Sequence, residues 1–427
     1  MTTQFAEARK GRTTSAMVSA ARSENVRAEE VCRLVGLGHA VIPANPAHSC
    51  LIPAVIGRAF RTKINANIGF SGEKSTRRKE LEKMKIAICA GADCVMDLSV
   101  GKSSATLRKD MLATCPVPFG TVPIYDAFGR AGGDVTRLDA DLLLSVIAEQ
   151  AEQGVDFMTL HAGLLKDHIK LALKRVTGIV SRGGAILAEW MLEHKSENPI
   201  YSRWDDVMDI CFAHDVTVSL GDGLRPGCIA DASDKAQFAE LAVLGQLVRR
   251  CRKRGVQVMV EGPGHIPFNQ IQMNMEREQK VCDNAPFYVL GPVVTDIAPG
   301  YDHITSCIGA TAAAYYGASL LCYVTPAEHL GLPTSADVKA GVITARIAAH
   351  AADVARNLPG AVERDNAISK ARADFDWERQ FDLAIDRETA KARYEKNRVG
   401  SEKNDHCSMC GKDFCALRTT KRLRKEK

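Results

Sequence analysis

At 427 residues, 46% hydrophobic and 25% charged, the chain can hold one large domain with appendages or two to three ordinary ones. It contains no apolar run of about 18 residues, which excludes a transmembrane helix, and its first residues lack the apolar core of a secretory signal. The net charge of +5 is carried by residues 417–427, where six basic residues stand against one Glu. The body before that tail is neutral, which argues against a nucleic-acid partner and for an enzyme with a basic end.

Residues 1–60 read as a small N-terminal region of short helical stretches and loops containing Pro43, Pro46 and Pro53. From residue 63 a regular rhythm begins. β-Branched runs at 63–69, 94–99, 117–125, 155–161, 176–184, 216–222, 256–262, 287–295 and 319–325 end in polar or glycine-rich tips. Helix-period segments such as 78–90, 139–152, 205–214 and 235–254 lie between them. Strands alternating with helices imply parallel βαβ units. Their number over this length predicts a closed (β/α)8 barrel of the TIM type spanning 61–333. Nine candidates for eight staves leave one accessory, and 287–295 is the run expected to be spare.

Catalytic groups of such a barrel sit at the C-terminal ends of its strands. The tips there carry Asn65 and Asn67; Met96, Asp97 and Ser99; Tyr125; His161; and Ser181, Arg182 and Gly183. Asp222, Gly223, Leu224 and Arg225 follow, then Glu261 and His265, Tyr288, and Tyr323, Glu328 and His329. One polar tip residue is ordinarily a loop cap; polar residues at nearly every tip mark a ligand-binding rim. The two glycine-rich turns, each with an arginine, suit an anion such as a phosphorylated substrate. His265 and His329 can share a divalent metal, with Glu261 or Glu328 orienting a ligand or acting as base.

Beyond the barrel, an alanine-rich helical run at 334–356 and helical segments at 365–373 and 377–393 form an antiparallel C-terminal region over 334–396. A polar linker, 397–405, leads into a tail that completes the segment 397–427. That tail holds Cys407, Cys410 and Cys415 at spacing Cys-x2-Cys-x4-Cys. Three thiolates suit a 4Fe-4S cluster with one iron left open, or structural zinc completed by His406. Spacing alone leaves both open. The other eleven cysteines are scattered singly, mostly in apolar runs, a usage expected of a reducing compartment and hence the cytoplasm.

The runs NANIG (65–69), MDLS (96–99), GTVPIY (120–125), VTGIVSRGG (176–184), SLGDGLRPG (219–227), EGPGH (261–265), APFYVLGP (285–292), TDIAPGYDHITS (295–306) and CYVTPAEHLGLP (322–333), with the tail CSMCGKDFC, resemble the phosphomethylpyrimidine synthase family in its short form. The resemblance spans residues 61–415 and implies a radical S-adenosylmethionine lyase of thiamine biosynthesis. Cys407, Cys410 and Cys415 would then hold a 4Fe-4S cluster binding S-adenosylmethionine, and His265 and His329 would hold zinc. Substrate positions would be Asn67, Met96, Tyr125, His161, Ser181, Arg182, Gly183, Asp222, Gly223, Leu224, Arg225, Glu261 and Tyr288. The substrate would be aminoimidazole ribotide, turned into hydroxymethylpyrimidine phosphate, formate and carbon monoxide. The resemblance further implies a homodimer whose cluster tail covers the other chain's barrel, and an electron donor such as flavodoxin or ferredoxin. Phe70 and Val100 depart from the family pattern, which keeps a close paralogue, hydroxybenzimidazole synthase of anaerobic cobamide synthesis, as the alternative. A non-radical zinc lyase with a structural zinc tail, and a plain electron carrier, are the readings from other classes.

Overall fold

The computed structural model describes residues 2–70, 75–101, 104–398 and 406–425, so residues 399–405 of the expected linker lie outside them. Two compact units are present, Met1–Asp353 and Val354–Lys427.

The first unit is built on a closed barrel. A two-stranded antiparallel sheet, β1 (Ala40–Val41) and β2 (Ile56–Gly57), precedes it. The staves are β3 (Lys63–Ile68), β4 (Cys94–Asp97), β5 (Phe119–Thr121), β6 (Phe157–Leu160), β7 (Thr217–Leu220), β8 (Val258–Gly262), β9 (Phe287–Leu290) and β10 (Leu320–Cys322). They pair in parallel in chain order, and β10 closes onto β3. Because inner and outer faces are both covered, whole staves such as Phe-Met-Thr-Leu in β6 are buried, and the sequence shows continuous runs instead of alternation.

Two strand expectations change. The run at 287–295 is a true stave, and the run at 176–184 is the one that is not. Its β-branched residues are left partly in solvent, with Val176 79% exposed. The backbone N–H groups of Val176 and Thr177 donate to the Asp231 carboxylate at 2.8 and 3.0 Å. With that acceptor, the segment needs no neighbouring strand, and it runs directly into the helix Arg182–Glu193.

Helices begin and end where local chemistry dictates. Asp139 and Asp234 cap Ala140–Glu152 and Lys235–Arg254 by accepting from the backbone three residues on. The second of these stops at Gly255, whose φ of 87° suits a residue without a Cβ. The helix Ser335–Ala355 follows β10 and buries Val338, Val342 and Ala349, while Asp353 accepts from Thr62 Oγ1 at 2.7 Å.

Residues 2–60 have their own small core around Met17, Val31, Val35 and Ile42. They are fastened to the N-terminal end of the barrel by hydrogen bonds to residues just before its staves. Thr3 Oγ1 donates to the Gly255 carbonyl at 2.6 Å, and Ile42 N donates to Gln257 Oε1 at 2.7 Å. Asp156 is the strongest node: it accepts from Asn45 N (2.9 Å), Phe119 N (2.7 Å) and His48 Nδ1 (2.7 Å). The N-terminal region therefore plugs one end of the barrel and leaves the other end open.

In the second unit, the segment expected as one helix over 377–393 is two, Trp377–Leu383 and Arg387–Lys396. The chain breaks because Arg364 takes the carbonyls of Leu383 and Ala384 at 2.9 and 3.1 Å, and Asp386 caps the second helix through Thr389 N. Trp377 and Phe381 close the turn on Tyr394, with ring centroids 4.4 and 5.5 Å apart.

Asp156→Ala is expected to lower unfolding stability by about 3–5 kcal/mol, because it leaves a buried imidazole and two buried N–H groups without an acceptor. Urea unfolding of the variant against the parent measures it.

Candidate active site

The C-terminal ends of the staves converge on a cavity lined by Asn67, Met96, Tyr125, His161, Asp222, Arg225, Glu261 and Tyr288, together with Thr159 and Cys322. A wider, open cavity of about 750 Å³ adjoins it, sharing Asn67 and adding Arg182, Glu328 and His329.

Each polar group is held by a neighbour. Glu261 Oε1 accepts from Thr159 Oγ1 at 2.6 Å and Ser219 Oγ at 2.8 Å, so β6 and β7 aim a carboxylate that β8 carries. Burial nevertheless raises its pKa above the usual carboxylate value, against those two hydrogen bonds. Asp222 pairs with Arg225 at 3.3 Å, and burial pushes it well above the carboxylate range despite that cation. Tyr288 Oη accepts from Asn65 Nδ2 at 2.7 Å, and the same amide donates to Asn67 Oδ1 at 2.8 Å.

His161 is fully enclosed, and burial, with the Arg225 charge behind it, pushes its imidazole down to about 3. It is a neutral ring. Its Nε2 lies 3.2 Å from Ser181 Oγ, and its Nδ1 is a buried atom with no partner among the described residues. A Cβ at Gly183 would stand 2.4 Å from this ring, so the helix start and the imidazole can meet only over a glycine. Ser181 caps that helix, and Arg182 lies over the Tyr125 ring at 4.8 Å. The result is a helix N-terminus with an arginine beside it at the rim, a ready anion site.

Gly223 and Leu224 do not line the cavity. Leu224 is wholly buried, and its N–H donates to Glu240 Oε2 at 2.7 Å, so these two residues hold the turn in shape.

His265 and His329 come together, with ring centroids 5.2 Å apart. Asp296 accepts from His265 Nδ1 at 2.8 Å and Asp302 from His329 Nδ1 at 3.1 Å, which leaves the lone pair of each ring on Nε2. His329 also holds φ at 62°, a strained conformation for a side chain of its size. Two imidazoles backed by carboxylates are a donor set that fits zinc. The backing groups are Asp296 and Asp302, where the sequence suggested Glu261 or Glu328; only the fold reveals which acids lie behind the rings.

Cys407 and Cys410 are exposed in a turn, and Cys415 is buried just before the helix Ala416–Lys425. Among the described residues no three His, Cys, Asp or Glu side chains are already gathered around a metal position. As a donor set, three thiols on a turn, two of them exposed, still suit a cluster with an open iron.

Sequence reasoning missed Thr159 and Ser219, and it treated Cys322 as a small core residue. Cys322 Sγ accepts from Asn67 Nδ2 at 3.1 Å in the cavity wall, and burial pushes its thiol up to about 12. It stands in the middle of the run read at 319–325, and only the structure ends the strand there. Phe70 lines the wider cavity, and its carbonyl accepts from Val100 N at 3.1 Å, so the two unusual residues are neighbours on the rim.

Residues 3–422 match the model of the Radical SAM ThiC family. The chain is 57% identical over 420 residues to a phosphomethylpyrimidine synthase of Halobacterium salinarum, covering 98% of this chain and 88% of that one. It is 58% identical over 422 residues to a phosphomethylpyrimidine synthase of Natronomonas pharaonis, with the same two coverages of 98% and 88%. Among solved structures, a dihydropteroate synthase from Stenotrophomonas maltophilia superposes with a TM-score of 0.42 at 14% identity, covering 71% of this chain and 96% of that one, a likeness too slight to carry an argument. On the match that runs nearly end to end, the chain belongs to the Radical SAM ThiC family.

Proposed function

We propose that this chain is a radical S-adenosylmethionine lyase that converts aminoimidazole ribotide into hydroxymethylpyrimidine phosphate, with formate and carbon monoxide, in thiamine biosynthesis. The observation that carries the reading is the joint presence, in one chain, of a desolvated polar barrel mouth with an anion site and a three-thiol tail. The name shared by relatives 54–58% identical supports it and favours the thiamine pyrimidine over the hydroxybenzimidazole product.

When bound by Cys407, Cys410 and Cys415, a 4Fe-4S cluster with S-adenosylmethionine supplies one-electron reduction and a radical that abstracts hydrogen. The barrel does the rest. The N-terminus of the helix Arg182–Glu193, with Ser181, Arg182 and Gly183, takes the phosphate of the ribotide. Asn67, Met96, Tyr125 and Tyr288 bound the heterocycle and sugar, and His161 stays neutral, so it exchanges hydrogen bonds without adding charge. Glu261, its proton affinity raised by burial, is the group that gives and receives a proton at the reacting ring. Asp222 and Arg225 stand beside it, 3.3 Å apart, and fix one another's position in the mouth. His265 and His329 hold zinc at the rim, and the enzyme works as a cytoplasmic homodimer supplied by flavodoxin or ferredoxin. No helix among the described residues is long and apolar enough to cross a membrane.

The first test is anaerobic reconstitution with iron and sulfide, followed by incubation with a reductant, S-adenosylmethionine and aminoimidazole ribotide, with products read by mass. Hydroxymethylpyrimidine phosphate is expected. Hydroxybenzimidazole would move the chain to the paralogue, and a zinc-filled tail with no deoxyadenosine formed would end the radical reading. Cys410→Ala is expected to abolish cluster iron and deoxyadenosine formation while leaving the circular dichroism of the barrel unchanged. His265→Ala and His329→Ala are each expected to strip bound zinc, and Asp296→Ala to weaken zinc affinity roughly 10–100-fold. Competition with a chromophoric chelator measures all three, and parental zinc content in both histidine variants would remove these residues as ligands.

A further inference from the structure

Between β8 and the helices Lys235–Arg254 and Ile271–Val281 that cover it lies a second, much smaller cavity, of about 20 Å³. That is room for one ordered water. Its wall is largely apolar, with Leu241, Leu244 and Phe287, but it also carries Asp222, Glu261 and Arg225, which line the mouth as well, and Glu240, Glu278, Gln237 and Asn274, of which the last two are bonded to each other at 2.7 Å.

The carboxylates of this chamber are under-partnered. Glu278 has no solvent exposure, and neither of its oxygens meets a hydrogen-bond donor. Glu240 Oε2 takes the Leu224 N–H, but its Oε1 has no partner, and Asp222 Oδ2 has none either. Four carboxylate oxygens thus lie buried without donors at one site. Without donors the ionised form of these carboxylates is strongly disfavoured, so protonated carboxyls and one bridging water fit the chamber. Nothing in the mouth itself requires Glu278, which is separated from the substrate cavity by the chamber.

We propose, resting on the reaction assigned above, that this chamber is the proton store of the active site and that Glu278 is its reservoir, a positioning residue that acts through Glu261. When Glu261 passes its proton to the reacting ribotide, the O–H bond of Glu278 breaks, the chamber water relays the proton, and a new O–H bond forms on Glu261, while the charge left on Glu278 is held by a hydrogen bond from the same water and offset by Arg252. A proton released later in the rearrangement returns by the same water. No oxidant or reductant is needed.

Burial favours the proton-bearing form of every carboxylate in the chamber. Burial raises Glu278 well above its ordinary value, opposed only by Arg252, and pushes Glu240 up to about 8 against its backbone hydrogen bonds and the Arg175 and Arg225 charges. Asp222 and Glu261 are raised by burial, with Arg225 opposing both. Cys282, just after the helix that carries Glu278, is raised by burial and stays a neutral thiol.

The test is Glu278→Gln in the reconstituted holoenzyme, a change that keeps shape and polarity but removes the transferable proton. It is expected to keep the parental melting temperature and ribotide affinity, lower kcat about tenfold or more, and shift one limb of the pH–kcat profile. It should also delete a protonated-carboxyl carbonyl band from the infrared spectrum at neutral pH. That spectral readout needs no turnover, so it stands apart from the assignment of the reaction, which the parent enzyme tests in the same assay. A parental pH–kcat profile, or an infrared spectrum with no such band lost, overturns the proposal. Should Glu278→Gln fail to fold, Glu240→Gln carries the same pair of measurements.

Discussion

A parallel strand offers unpaired N–H and C=O groups along both edges and apolar side chains on both faces. Closing eight of them into a ring satisfies every edge at once and leaves only the two ends of the barrel open. Much else in this molecule follows from that closure. One end is plugged by residues 2–60, whose hydrogen bonds reach residues just ahead of the staves, with Asp156 as the central acceptor. The other end gathers the polar tip of nearly every stave into one mouth. That mouth suits chemistry because its polar side chains face a shared cavity.

Closure also sets the electrostatics. Staves three to six residues long make a narrow mouth, and groups in it lose most of their water. Desolvation raises Asp222 and Glu261 and lowers His161, although each has partners nearby. Placing two carboxylates, a guanidinium and an imidazole so close costs several kcal/mol relative to an apolar core. A barrel needing only stability would not carry them. The small chamber behind β8 extends the same condition outward, into the layer between strand and helix.

The two sets of metal-type donors are built on opposite principles. His265 and His329 stand on the rigid rim, their rings fixed by Asp296 and Asp302, and one of them is held in a left-handed backbone conformation. Cys407 and Cys410 stand exposed on a turn beyond residues 399–405. A preformed pair suits an ion that stays in place. Thiols on a turn suit a group that itself draws the ligands together.

Much of the architecture is legible in the sequence. β-Branched runs separated by helix-period segments carry the barrel, because strand period and helix period are local properties of the chain. The tips Asn67, His161, Asp222, Arg225 and Glu261 were legible for the same reason: a stave's C-terminal end is a position in sequence as well as in space. Local pattern failed where a distant group supplied the missing partner. The run at 176–184 looks like a strand until Asp231 takes its N–H groups, and the helix expected over 377–393 breaks because Arg364 claims its carbonyls. The carboxylates behind His265 and His329, the hydroxyls of Thr159 and Ser219 on Glu261, and the meeting of Glu240 and Glu278 in one chamber all join residues far apart in the chain. The sequence by itself determined which elements form and which residues stand at their ends, since those depend on neighbours along the backbone. Which group faces which, and how much water each one keeps, was decided only when the barrel closed, because burial and pairing are properties of the packed molecule.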